Sequence, residues 1–354
     1  MRLIKKFIIL CSILFITVSC TTIKQYVSYT IYPIGYLLNR IGGDRITTMS
    51  VQTDELVELA EAKDNFDEIV NDSLYLFHIS GLEPYYDLYT DNIKKSKVKT
   101  VDLSELNAIY KFQRYSVVYT NDGETYIESP YYDSPLFDNI DTYDNDLFLW
   151  LDPIGMLSMA KDVYELLASN YSEQASYFKE NYDKLSEELI VLDASYHALS
   201  NELRKEDKSI KFVSMTPSFG SWQKSYGFNV YPVCLSKYGT LPTEEQLAVI
   251  KERIVKDNVK YIAYEPNMNQ DMINLFDRLC NELGLTRINL SNISSLSDTQ
   301  VSENKDYITL MYENLIVLEN IAVDNKIETS QETPEEETEE VIETETDETI
   351  INWW

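Results

Sequence analysis

The sequence is poor in histidine and glycine, and this excludes most common enzyme chemistries. Its 354 residues include only 2 histidines, His78 and His197. Neither lies in a motif that would make a Ser-His-Asp set or a Cys-His pair. The 10 glycines form no phosphate-binding or dinucleotide-binding loop. We therefore expect a protein that is not an enzyme.

Basic residues are also scarce. The chain carries 30 Lys and Arg against 59 Asp and Glu, for a net charge of −29, and no basic patch follows residue 6. A phosphate backbone requires a Lys/Arg-rich surface, so nucleic-acid binding is excluded. A hydrophobic content of 44%, with 27 Tyr and 12 Phe, excludes wholesale disorder. The length suffices for two domains with proper cores.

Only the N-terminus contains a long apolar run. A cationic "MRLIKK" precedes "FIILCSILFITV", an apolar stretch of about 12 residues, too short to span a membrane in the mature protein. It ends in "TVSC" at Cys20, which is typical of a bacterial lipoprotein signal. We expect acylated Cys20 to anchor the protein to the lipid membrane at the extracytoplasmic face of the cell. The alternative is ordinary secretion with an incidental cysteine.

The other two cysteines beyond the signal are Cys234 and Cys280. In an exported chain they could form one disulfide, or each could be a small buried residue. The sequence leaves both alternatives open.

The first part of the chain alternates between strand and helix patterns. Strand-like segments at 24–30, 45–52, 73–79 and 97–103 are separated by helical patterns at 32–43, 54–70 and 81–93. This βαβ alternation predicts a parallel sheet covered by helices. A hairpin-like insertion at 111–143 follows, with a turn signal at Asn121-Asp122-Gly123.

One long helix is predicted from about Ser172 to Arg204. Its apolar side chains recur at intervals of four and three and form one stripe: Phe178, Tyr182, Leu185, Leu189, Leu192, Tyr196, Leu199 and Leu203. The stripe could form a coiled-coil dimer or pack across two lobes of one chain. We prefer the second interpretation, since α/β patterns lie on both sides, and we expect a monomer.

The α/β alternation then resumes before the chain ends in a Glu/Thr-rich run that cannot bury a core. We therefore predict an α/β fold with two lobes, each with a parallel-type sheet, joined by one long bridging helix. The predicted parts are a signal peptide (1–19), a lipidated tether (20–23), an N-terminal lobe (24–170), the bridging helix (171–204), a C-terminal lobe (205–323) and an acidic disordered tail (324–354).

Several motifs, in order, resemble the zinc/manganese substrate-binding lipoproteins of ABC importers. They are "SYTIYPIGYLLNRIGGDRI" (28–46), "LYLFHISGLEPYYDLY" (74–89), "DLFLWLDP" (146–153) and "KFVSMTPSFGSWQKSYGF" (211–228). The resemblance covers residues 25 to about 322. It implies a ligand held between the two lobes and delivered to a membrane permease with its ATPase.

The resemblance also implies a metal site of three histidines and one acidic residue. By motif, the histidine positions fall near Val57, at Phe148 and at Thr216, and the acidic position falls near Glu265 or Asp271. None of the three is histidine. Zinc, expected from the family, favours imidazole and carboxylate ligands in a tetrahedral shell. His78 and His197 lie at none of these ligand positions, and we expect them to be structural or solvated.

Three hypotheses for the cleft stay open. First, an oxygen-only site would favour Mn²⁺, Ca²⁺ or Mg²⁺ over zinc; its candidate ligands are Glu55, Glu58, Asp146, Thr216, Glu265 and Asp271. Second, an organic ligand could pack against a cleft lined by Val57, Phe148, Trp150 and Trp222, although the two tryptophans could equally pack in the core between the lobes. Third, the cleft could be vestigial, in a surface interaction or adhesion protein that keeps the scaffold.

Overall fold

The structure is a computed structural model that describes residues 26–104, 114–120, 123–129 and 131–324. The predicted signal peptide, Cys20 and the acidic tail lie outside these residues. Within the described part of the chain, no helix is both long and apolar enough to cross a bilayer. The predicted α/β fold with two parallel sheets and one long helix is confirmed.

The first half of the chain forms a four-stranded sheet. Its strands are β1 (Tyr26–Tyr29), β2 (Thr47–Ser50), β3 (Ser73–His78) and β4 (Lys99–Asp102). They are parallel, in the order β2-β1-β3-β4. The crossover helices are α1 (Tyr32–Gly42), α2 (Phe66–Asn71) and α3 (Thr90–Lys95). Helix α1 has Pro33 in its first turn. Gly43 caps its C-terminal end, and its φ of +54° suits a residue without Cβ.

The helix predicted at 54–70 is wrong for most of its length, since only its last turns form α2. Residues 51–65 form a closed loop, because Gln52 bridges Ala62 and the Thr53 N–H donates to the Glu61 carbonyl. These bonds satisfy backbone groups that a helix would have paired internally. The closed loop directs its central residues into the interior of the molecule.

The predicted helix at 81–93 is also displaced. A 3₁₀ turn covers Tyr86–Tyr89, and α3 follows it. The predicted hairpin is confirmed: β5 (Arg114–Thr120) pairs antiparallel with β6 (Gly123–Ser129), with Thr120 opposite Gly123. The turn residues Asn121 and Asp122 lie outside the described residues.

Two helices connect the halves. Helix α4 (Pro153–Asn170) is capped by Asp152, whose side chain accepts hydrogen bonds from the Ile154 and Gly155 N–H groups. A 3₁₀ turn then leads into α5 (Ala175–Lys205), close to the predicted bounds of the long helix. Seven of the eight predicted stripe residues are buried within this chain, and the eighth, Tyr182, stacks on Tyr164. The stripe therefore packs intramolecularly, against helices of both halves.

The second half forms another four-stranded sheet. Its strands are β8 (Lys211–Ser214), β9 (Asn229–Pro232), β10 (Tyr261–Tyr264) and β11 (Thr286–Asn289). They are parallel, in the order β11-β10-β8-β9. Its helices are α6 (Gly220–Tyr226), α7 (Glu244–Lys256), α8 (Gln270–Leu283), α9 (Asp298–Ser302) and α10 (Tyr307–Asn320). A short antiparallel pair, β7 (Lys208–Ser209) with β12 (Val323–Asp324), closes the described chain.

The largest hydrophobic cluster runs continuously through both halves, from Val27 and Phe77 to Trp222 and Tyr307. This shared core fixes the two sheets relative to each other. Cys234 is buried and Cys280 is half-buried, and both are free thiols in the described structure. The structure therefore shows no disulfide between Cys234 and Cys280.

Candidate functional site

The loops that follow the strands of the two sheets meet between the halves. The Tyr32 N–H, after β1, donates to the Ser294 carbonyl, after β11. Trp150, just before α4, donates its indole N–H to the Asn292 carbonyl at 2.7 Å. In open parallel sheets, ligands bind beyond the carboxyl ends of the strands. The candidate site is therefore this junction of loops.

Glu265 follows β10 directly and is fully buried. Its Oε1 accepts hydrogen bonds from the backbone N–H groups of Met215 (2.8 Å) and Thr216 (2.9 Å). Its Oε2 accepts from Thr216 Oγ1 (2.6 Å) and Asn292 Nδ2 (2.9 Å). Burial raises the pKa of Glu265, while these hydrogen bonds lower it. The carboxyl is thus rigidly held by residues that follow β8 and β11.

Glu58 lies in the closed loop after β2 and has only 4% of its surface exposed. Neither of its carboxyl oxygens has a hydrogen-bond partner in another described residue, and only the backbone of Glu58 itself acts to lower its pKa. Burial raises its pKa to about 8, and the charge of Glu265 contributes to the increase. From the predicted ligand set, the structure joins Thr216 and Glu265 by a hydrogen bond, and Glu58 is linked to them only through the effect of the Glu265 charge on its pKa. Val57, the neighbouring residue, is fully buried in the hydrophobic core.

A turn from the second half lies over Glu58. A Cβ on Gly239, whose φ is +65°, would lie 2.6 Å from Leu59 Cδ2 and 3.6 Å from Glu58 Cβ. This backbone conformation and this close approach both favour glycine at position 239. The turn is tied to the first half because the Lys237 N–H donates to the Asp141 carbonyl at 2.8 Å.

The predicted cleft-lining aromatics are core residues in this structure. Phe148, Trp150 and Trp222 are fully buried. The Phe148 and Trp150 rings lie 5.3 Å apart, and the Trp222 indole N–H donates to the Leu151 carbonyl at 2.8 Å. Packing between the halves therefore accounts for all three rings.

The other predicted ligands lie elsewhere. Asp146 is buried, and its Oδ1 accepts from the Phe148 N–H at 3.1 Å. Its Oδ2 lies against Gly220 of the second half. Burial raises its pKa to about 7. Glu55 is exposed and accepts from Thr53 Oγ1 at 2.7 Å. Asp271 is exposed in the first turn of α8.

Neither histidine is at the site. His78 is buried at the end of β3, with its ring stacked on Tyr86 at 4.3 Å. His197 is half-exposed on α5, 3.7 Å from Asp193. Among the described residues, no three His, Cys, Asp or Glu side chains converge to hold a metal ion. An imidazole-based zinc site therefore does not fit this part of the chain.

Sequence reasoning missed two participants, Asn292 and Gly239. Asn292 follows β11, and its position after a strand was an available signal. A cavity of 810 Å³ is lined by Asp54 from the first half and by Tyr264, Asn289 and Ser291 from the second.

Comparison with known families now adds to this geometry. The family described as "Zinc-uptake complex component A periplasmic" matches residues 27–321. The zinc-binding protein AdcA of Streptococcus pyogenes is 26% identical over 173 residues, which are 49% of this chain and 32% of that protein. The zinc uptake protein ZnuA of Bacillus subtilis is 23% identical over 175 residues, which are 49% of this chain and 53% of that protein. The match thus spans about a third to a half of these relatives' lengths.

Solved structures share the fold. AdcAII of Streptococcus pneumoniae superposes with a TM-score of 0.65 at 19% identity, covering 85% of this chain and 100% of that chain. The laminin-binding protein Lmb of Streptococcus agalactiae, described as a bifunctional protein with adhesin and metal transporting activity, superposes with a TM-score of 0.65 at 18% identity. The superposition covers 84% of this chain and 99% of that chain. At these identities the likeness establishes the fold alone.

Proposed function

Because the chain belongs to the family of periplasmic zinc-uptake component A proteins, we propose that it is the extracytoplasmic substrate-binding lipoprotein of a metal-type ABC importer. Acylated Cys20 anchors it to the outer face of the cell membrane. It holds its ligand between the lobes at 24–170 and 205–323 and delivers it to a membrane permease driven by an ATPase. The observation that carries this proposal is the family match over residues 27–321, supported by two buried carboxyls, Glu58 and Glu265, on loops that follow β2 and β10.

The ligand differs from that of a histidine-based zinc site. The three positions at which the family carries histidine hold Thr216, Phe148 and a residue at or beside Val57. Thr216 donates to Glu265, and Phe148 lies in the core. The named zinc-binding relatives therefore suggest the mode of transport rather than the cargo.

The long helix α5 limits how the protein responds to its ligand. Bending it would break backbone hydrogen bonds along its length, so the two halves move little. Binding instead orders the strand-end loops. The permease then distinguishes the loaded from the unloaded protein through these loops.

A deletion strain tests this function. Cells of the source organism that lack the chain should contain less of one divalent metal than the parent, measured by mass spectrometry of washed cells. The full-length chain should restore the content, and a Cys20→Ala variant should restore less, because it is not held at the membrane. An unchanged content of every metal in the deletion strain would contradict the importer function.

A second candidate function is adhesion, favoured by the structural likeness to Lmb, which is described as an adhesin as well as a metal transporter. The buried core aromatics and the missing histidines suit a scaffold that no longer carries zinc. Binding of the purified chain to immobilised extracellular-matrix proteins tests it. Saturable binding together with unchanged cell metal content would favour adhesion over import.

A further inference from the structure

We propose that the cavity at the edge of the second sheet is a binding site for a small zwitterion with a carboxylate group, of the amino-acid or short-peptide class. The cavity has a volume of 810 Å³, and one of its walls contains Arg287, Asn289 and Ser291. Strand β11 is an edge strand, and Arg287 on it is exposed to solvent, so a ligand can enter from the side. The site is separate from the junction around Glu265 and goes beyond the proposed importer function.

The three wall residues recur at every second position of the chain. Side chains two residues apart along a strand lie on the same face. The pairing of β10 with β11 continues one residue further, because the Leu290 N–H donates to the Tyr264 carbonyl at 3.2 Å. Ser291 therefore continues the row of the strand, whereas its neighbour Asn292 donates its side-chain amide to Glu265. Adjacent side chains thus serve two separate places, the cavity and the junction.

The guanidinium of Arg287 is held in place while its terminal nitrogens stay unused. Its Cζ lies 3.8 Å from the centre of the Tyr264 ring, and its Nε donates to Asn289 Oδ1 at 3.2 Å. Within the described part of the chain Arg287 forms no ion pair, unlike Arg253 and Arg278, which each pair with a carboxylate. A guanidinium fixed through Nε offers its two terminal nitrogens as a fork that matches a carboxylate. Arg287 is therefore the anchor for the carboxylate of the ligand.

The hydroxyl of Ser291 is a second donor, and it is buried. Only 7% of Ser291 is exposed. Its Oγ accepts hydrogen bonds from the Ile293 N–H and from Gln300 Nε2, both at 3.3 Å. A hydroxyl has two acceptor positions and one proton, and no described residue accepts that proton. Because a buried donor without an acceptor is costly, an oxygen of the ligand is the partner that this hydroxyl lacks.

The charges around the cavity favour a zwitterion over a simple anion. Lys305, the other basic residue of the lining, pairs with Glu303 and Glu313. Asp54 and Asp298 also line the cavity, and neither forms an ion pair in the described ranges. Their negative charges repel an anion and attract an ammonium group. A ligand with both a carboxylate and an ammonium group therefore matches the guanidinium and the two aspartates at once.

The test is a ligand titration of the full chain, purified in detergent and stripped of metal by a chelator that is then dialysed away. The probes are the standard amino acids and glycylglycine, with acetate and methylammonium as probes of a single charge. The melting temperature is followed, and direct contact is measured by saturation-transfer NMR. A ligand of the folded state raises the melting temperature in a saturable way. We expect at least one zwitterion to do so, with a larger shift than either single-charge probe at the same concentration.

Four variants make the result specific. Arg287→Gln should weaken binding at least about tenfold, because it loses the charge-assisted bonds to the carboxylate, whereas Arg287→Lys keeps the charge without the fork and should lie between. Ser291→Ala should weaken binding by a smaller factor, since it removes one neutral donor. Arg278→Gln is the matched control, because this guanidinium on α8 pairs with Glu244, and it should bind like the parent. The melting temperature without ligand shows whether each variant folds.

Three outcomes would overturn the inference: no saturable shift with any zwitterion, a shift that Arg287→Gln leaves unchanged, or an equally large shift with acetate alone. Any of them, combined with a metal deficit in the deletion strain, would leave the importer function intact and remove only this site. A normal metal content in that strain, with Arg287-dependent binding in vitro, would instead remove the importer function and keep the site.

Discussion

Replacing Glu83 by glutamine should change how the stability of the protein depends on pH. Glu83 is 5% exposed, and its Oε1 accepts from Thr30 Oγ1 and the Ile79 N–H, while Oε2 has no partner among the described residues. Burial raises its pKa from 4.5 to about 7. Such a difference corresponds to about 3 kcal/mol between the two protonation states.

The direction of the effect follows from proton binding. Below pH 4.5 the carboxyl is protonated in both the folded and the unfolded chain. As the pH rises towards 7, the unfolded chain releases this proton while the folded chain keeps it, so the free energy of unfolding falls. Glutamine cannot titrate. The stability of Glu83→Gln relative to the parent should therefore improve by about 3 kcal/mol between pH 4 and pH 8.

The assay is urea unfolding in chelator, followed by tryptophan fluorescence, at intervals from pH 4 to pH 8. Other buried carboxyls with raised pKa values, such as Asp146, titrate in both proteins and cancel in the difference. Glu61→Gln, at an exposed position, serves as the control and should show no comparable trend. A stability difference that stays constant over the whole pH range would refute the reasoning.

Substitutions at three further positions test the junction by urea unfolding. Trp150→Phe removes the indole donor to the Asn292 carbonyl. It should lower the free energy of unfolding by about 1–3 kcal/mol, because a buried acceptor loses its partner. A loss below about 0.5 kcal/mol would argue against this bond. Thr216→Val keeps the shape but removes the hydroxyl that donates to Glu265, and should cost about 1–2 kcal/mol, whereas Thr216→Ser should recover most of it. Gly239→Ala should destabilise by at least about 1 kcal/mol, because its φ of +65° and its close contacts oppose a Cβ; an unchanged midpoint would show that the turn moves away freely.

Much of the fold was predictable because local patterns and tertiary packing agree. The apolar stripe that begins at Phe178 specifies α5, whose buried face packs within the chain. Helix α7 follows a capping box at Thr243 and Gln246. Ser297 and Gln300 form the same kind of capping box at the start of α9. Both capping boxes can be recognised in the sequence.

The predicted helix at 54–70 failed because its helical spacing of apolar residues serves another purpose. Leu56 and Val57 are buried by a loop whose ends are paired through Gln52 and Ala62. Such pairing is a long-range effect that periodicity does not report. It also separates two neighbouring side chains: within this loop, Val57 joins the core, while Glu58 is buried where the charge of Glu265 raises its pKa.

The candidate site was predictable only in part. Motif order identified Thr216 and Glu265, which the structure joins by a hydrogen bond. It could not show that this bond, together with Asn292, fills the acceptor capacity of Glu265. Nor could it separate Asp271, which is exposed on α8, from the residues at the junction. Such distinctions depend on side-chain burial, which residue type alone does not determine.

Hydrogen exchange of the full chain, with and without a saturating divalent cation, tests most directly whether the ligand lies between the two halves. If it binds at this junction, amide exchange should slow in two peptides from different halves, one spanning 54–62 and the other spanning 234–241. Unchanged exchange in both peptides, or protection confined to one half, would contradict a site formed between the two sheets.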